Sequence, residues 1–87
     1  MLNEKRVANY LRKHVGENVS SWQLVSRAKA LNGRMNDLSV EECFRMNAEV
    51  FRIAEENGFF LDMSEHEFKL EGMPWNLDFV IRKKEDQ

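Results

Sequence analysis

The sequence predicts an α+β domain in which three helices pack on a small antiparallel sheet of two or three strands. Three observations predict it. Ser20 with Gln23, and Ser39 with Glu42, form two capping boxes, each opening an apolar stripe of helical period. Gly16, Gly33 and Gly58 follow the three stripes, in the position of helix stops. Beyond Gly58 the apolar period falls to two, in segments rich in strand formers. Eighty-seven residues make a single domain over 1–87.

The first helix is predicted over residues 3–15. Asn3 offers a side-chain oxygen to an orphan first-turn N–H. Val7, Ala8, Leu11 and Val15 recur at helical spacing, with Tyr10 and His14 on the flanks of that stripe. Lys5, Arg6, Arg12 and Lys13 fall outside it. Residues 17–19 form an extended connector.

Leu24, Val25, Ala28 and Leu31 are the stripe of the second helix, which Asn32 and Gly33 end. Residues 34–37 are a polar connection with Met35 as an inward anchor. In the third helix Val40, Cys43, Phe44, Val50, Phe51 and Ala54 follow the i, i+3, i+4 pattern. Met46 and Ile53 widen this stripe, Asn47 is a polar gap in it, and Leu38 staples onto Cys43. A helix apolar on two adjacent faces touches more than one layer, so this one is read as the core scaffold.

Residues 59–63 and 77–82 read as strands. Residues 66–71 alternate strictly, with His66, Phe68 and Leu70 on one face, after a turn at Ser64 and Glu65. Pro74 removes a backbone donor and holds Met73 extended, so residues 72–76 form a loop. Residues 84–87 are expected to be a polar, frayed tail.

Composition narrows the function classes. The chain is 43% hydrophobic with a net charge of −2, so it folds and exerts no global pull on nucleic acid or anionic membrane. One cysteine and no apolar leader stretch suit a reducing, cytoplasmic setting. The longest apolar run falls far short of the roughly 20 residues of a membrane span. No phosphate-binding glycine loop, nucleophile elbow or metal-binding helix motif is present, so neither an enzyme, a cofactor nor a metal is expected. Cys43 lies on an apolar stripe and reads as a buried thiol rather than a nucleophile.

Charge is divided unevenly. Residues 1–36 carry seven basic and two acidic side chains; residues 37–81 carry three basic and eleven acidic. Arg12, Lys13, Arg27, Lys29 and Arg34 are therefore the candidate nucleic-acid contacts. The opposite charges of the two halves equally suit a charged protein partner or head-to-tail self-association. Candidate protein contacts are Trp75 and Met73, from the unusual Met-Pro-Trp loop, and Glu49 and Glu56 on the acidic long helix. Trp75 and Trp22 both admit a second role as core residues. Glu55 and Glu56, at a helix C-terminus, call for a partner or a basic neighbour.

The element order resembles a winged helix-turn-helix domain. Leu11 to Ser20 looks like the end of a first helix and the short strand preceding the second. Glu55 to Leu61 looks like the junction of helix end, glycine and apolar strand that leads into a wing. The resemblance spans most of the chain by layout and implies a helix over 39–57 presented to a groove, with a wing near 64–76. The third helix and the segment before it are longer than that family's pattern. The resemblance carries over no residue-level DNA contact. Five glutamates against two arginines on helix 39–57 argue against docking that helix on phosphate.

The sequence thus points first to a small non-catalytic module that engages a protein partner or itself. The alternative is a winged-helix DNA-binding regulator that uses the basic N-terminal half.

Overall fold

The computed structural model describes residues 2–64 and 75–86. The expected strand over 66–71, residue 65 of the turn, and Met73 and Pro74 lie outside the described residues. The chain runs α1 (Glu4–Lys13), β1 (Asn18–Ser20), α2 (Ser21–Arg27), a 3-10 turn (Met35–Asp37), α3 (Val40–Glu56), β2 (Phe59–Asp62), β3 (Asp78–Lys83) and a last 3-10 turn (Lys84–Asp86). The three strands form one antiparallel sheet in the order β1-β3-β2. The fold is α+β, as the sequence predicts. Its third described strand, β1, comes from the segment that periodicity reads as an extended connector and that the winged-helix resemblance implies is a short strand.

All three caps form. The Asn3 side chain accepts from the Arg6 N–H, and both capping boxes close in both directions. The helix ends differ from expectation. α1 stops at Lys13 and leaves Val15 exposed, because the next residues join the sheet. There the Gly16 N–H donates to the Ile81 carbonyl at 2.7 Å and the Ile81 N–H to the Glu17 carbonyl at 3.1 Å.

α2 ends at Arg27, short of the predicted Asn32. Lys29 takes the left-handed conformation with φ 52°. Its N–H donates to the Ser26 carbonyl at 3.2 Å, and the Ala30 N–H reaches the Val25 carbonyl at 3.1 Å. This is a Schellman cap built on a lysine instead of a glycine. The tertiary reason lies next to it. The Asn3 N–H donates to the Ala30 carbonyl at 2.7 Å and Leu2 bridges to Leu31, so this segment is extended against the chain entering α1.

The core gathers Val7, Leu11, Leu24, Val25, Met46, Val50, Ile53, Phe79 and Ile81, all essentially inaccessible. Along β2 and β3, Phe59, Leu61, Phe79 and Ile81 point inward, while Phe60 and Arg82 point outward. α3 buries Cys43, Met46, Asn47, Val50, Ile53 and Ala54, a stripe rotated from the predicted one. Phe51 sits on the flank of that stripe and meets Phe79 edge-on at 5.9 Å. Phe44, two turns earlier on the same flank, has no such cover among the described residues. Phe44 is 50% exposed and Val40 60%.

Trp75 lies in the core, 6% exposed, and stacks on Trp22 with ring centroids 5.6 Å apart. Asn47 explains the polar gap in the α3 stripe: its side-chain amide donates to the Trp75 carbonyl. Asn76 and Leu77 continue the seam onto α2, accepting from the Trp22 and Ser21 N–H groups at 3.0 and 2.8 Å. The expected frayed tail opens with a 3-10 turn over Lys84–Asp86 that is tied to the body at Lys84. The Lys84 N–H donates to the Gly58 carbonyl at 3.0 Å and its ammonium pairs with Glu55.

Candidate functional site

α1 places Arg6, Asn9, Tyr10, Lys13 and His14 on one face, since residues three, four and seven apart are neighbours on a helix. Opposite them stand Arg27, Ala28 and Lys29 at the end of α2. Together these residues line an open groove of about 460 Å³. Arg6 ties the two walls together, donating from Nη1 to the Lys29 carbonyl at 2.9 Å.

Four cations line this groove and no carboxylate does. None of the four forms an ion pair with another described residue, whereas cations on α3 and at the carboxy-terminal end do. Arg45 holds Glu41 at 2.6 Å, Arg52 holds Glu4 and Glu56 at 2.7 and 2.9 Å, Arg82 holds Asp62 at 2.9 Å, and Lys84 pairs with Glu55. Uncompensated positive charge is thus concentrated at the α1–α2 groove.

The floor is aromatic. Tyr10 is 7% exposed, and His14 stacks on it with centroids 4.0 Å apart. The Tyr10 hydroxyl is buried without a hydrogen-bond partner among the described residues. His14 Nδ1 and Glu17 Oε2 share a 2.6 Å hydrogen bond.

The structure brings together three of the five candidate nucleic-acid residues, Lys13, Arg27 and Lys29. It adds Arg6, whose seven-residue spacing from Lys13 was the available signal. Arg12 is turned away: it lines a depression with Glu4, Lys5, Ala8 and Asn57 and donates to Asn9 Oδ1 at 2.7 Å. Arg34 lies across Lys29 on a second groove of about 490 Å³. There Trp22, Val25, Leu31 and Met35 make an apolar floor, with Lys29 and Arg34 as the charged lining.

The candidate protein contacts fare differently. Burial of Trp75 removes the exposed anchor, and Met73 lies outside the described residues. Glu49 and Glu56 both meet Arg52, at 3.7 and 2.9 Å, and Glu49 also accepts from the Leu2 N–H. These carboxylates belong to a network that joins α3 to α1, and the C-terminal glutamates of α3 have the basic neighbours that their position called for.

Cys43 is buried, and that burial, with Glu42 beside it, pushes its thiol above the ordinary value, away from a reactive thiolate. Among the described residues no three His, Cys, Asp or Glu side chains converge to hold a metal ion, and no helix is long and apolar enough to cross a membrane. No protein-family model matches the chain, and comparison with curated proteins and with solved structures returns no match.

Proposed function

We propose that this chain is a small non-catalytic module that binds nucleic acid through the α1–α2 groove. The observation that carries the reading is the convergence of Arg6, Lys13, Arg27 and Lys29 on one groove that no carboxylate lines. With a net charge of −2 the whole molecule does not attract phosphate; a local field in a groove does. Arginine offers a planar fork to phosphate oxygens and lysine a compact charge, and the groove presents two of each. Such contacts position a backbone and carry no sequence information, so binding is expected to be non-specific.

The winged-helix resemblance gains support from the order α1-β1-α2-α3-β2-β3 and the sheet order β1-β3-β2. The usual presentation of the third helix to DNA does not. Arg45 and Arg52 are both committed to glutamates, and five glutamates share α3 with them. The α1–α2 groove is the surface that suits phosphate.

The test is a salt titration of binding to labelled duplex and single-stranded DNA. Each phosphate contact contributes a slope of about −0.9 in log K against log salt on duplex, so four cations give roughly −3 to −4. Arg27→Gln with Lys13→Gln should make the slope shallower by about 2. Absence of binding at low salt, or binding indifferent to that double substitution, would overturn the proposal.

A further inference from the structure

We infer that this chain self-associates, with the exposed flank of α3 in one copy, Val40 and Phe44, seated against Trp22, Leu31 and Met35 in the mixed apolar and basic groove of a second copy. The inference does not rest on the nucleic-acid reading: the docking flank lies on α3, and the receiving groove shares only Lys29 with the lining of the α1–α2 groove.

The flank is the largest unsatisfied apolar feature on α3. Val40 and Phe44 stand one turn apart and keep 60% and 50% of their surfaces in water. The same flank one stretch further on is covered, where Phe51 meets Phe79. The receiving groove has an apolar floor with a volume of about 490 Å³, room for an aromatic ring and a branched side chain. Aromatic anchors seated in pockets carry much of the energy of protein contacts.

Charge selects the occupant. Beside Val40 and Phe44 in the chain stand Glu41, which Arg45 pairs at 2.6 Å, and Glu42, which leaves the flank an acidic first turn. The Glu42 carboxylate accepts from the Ser39 N–H at 3.1 Å, and that bond, with the Ser39 hydroxyl beside it, lowers its carboxyl below the ordinary value. The groove presents Lys29 and Arg34 and no carboxylate. An acidic-flanked apolar knob and a basic-lined apolar groove on one chain complement each other between copies. Nucleic acid is a poor occupant for the flank, because the glutamates repel phosphate. Two anchors with a charged surround are on the scale of a transient contact rather than an obligate one.

The experiment is sedimentation equilibrium on the full chain over a range of concentrations. Wild type should gain mass with concentration. Phe44→Asp, at an exposed site, and Arg34→Glu, on the groove, should each stay monomeric with unchanged circular dichroism. An equimolar mixture of the two variants should associate, because each retains the surface that the other has lost. A monomeric wild type, a Phe44→Asp chain that associates like wild type, or a mixture that stays monomeric overturns the inference. Phe44→Asp should still bind DNA, so failure here and failure of the α1–α2 groove are read separately.

Discussion

The Arg6 guanidinium donates to the Lys29 carbonyl oxygen at 2.9 Å, and Lys29 is the one non-glycine residue in the left-handed region among those described. One hydrogen bond thus joins the helix that carries half of the basic groove to the strained cap that carries the other half. A side chain that favours right-handed backbone is kept where glycine would be easier, at the position that adds a cation to the groove.

Lys29→Gly should therefore separate stability from binding. Relief of left-handed strain should stabilise the fold by about 0.5–1 kcal/mol, seen as a higher urea midpoint. Loss of the ammonium should weaken DNA binding and make its salt slope shallower by about 1. A chain that loses both stability and binding would show that the lysine side chain supports the cap itself.

Arg12→Gln serves as the positional control. Arg12 and Lys13 are adjacent in sequence, yet Arg12 faces the depression beside Asn57 and Lys13 faces the groove. Affinity for DNA should fall with Lys13→Gln and stay within about twofold of wild type with Arg12→Gln, since a charge outside the contact surface is largely screened at physiological salt. Equal losses from both would point to a diffuse field instead of a groove.

Asn47→Ala should destabilise the fold by about 1–3 kcal/mol, because it leaves the Trp75 carbonyl without its buried donor. The Trp22–Trp75 stack should loosen with it, seen as a shift in tryptophan emission before global unfolding. An unchanged midpoint would mean that the Trp75 carbonyl finds another donor.

Asp62 links the sheet to acid stability. The Ser64 backbone N–H, then the Arg82 guanidinium and the Ser64 hydroxyl, lower its carboxyl from 3.8 to about 2. The folded value lies below the unfolded one, so the unfolded chain takes up the proton first. The stabilisation is present above the ordinary value and is lost as pH falls towards 2. Asp62→Asn should flatten that part of the plot of urea midpoint against pH. Parallel curves for variant and wild type would locate the acid sensitivity elsewhere, with Glu42 the next group to examine.

Local chemistry was legible in the sequence. Asn3, Ser20 and Ser39 cap the helices, and Gly58 with φ 82° ends α3, because caps and stops depend on a few neighbouring residues. Strand-forming composition located β2, alternation located β3, and the stripe on α3 marked Cys43 as buried. Which flank of that stripe is covered was not legible. Val40, Phe44 and Phe51 look alike in sequence, and among the described residues the edge-on contact with Phe79, contributed from another element, sets Phe51 apart.

The sequence by itself determined the α+β class, the capped helices and a basic first half with an acidic second half, since composition and short-range periodicity suffice for these. Tertiary structure alone decided where α2 ends, because the contact of residues 30 and 31 with residues 2 and 3 spans most of the helical half of the chain. It sent Trp75 inward through Asn47. It also decided which charges are free. Ion pairing is a matter of distance in space, and it neutralises Arg45, Arg52, Arg82 and Lys84 while leaving Lys13, Arg27 and Lys29 facing one groove.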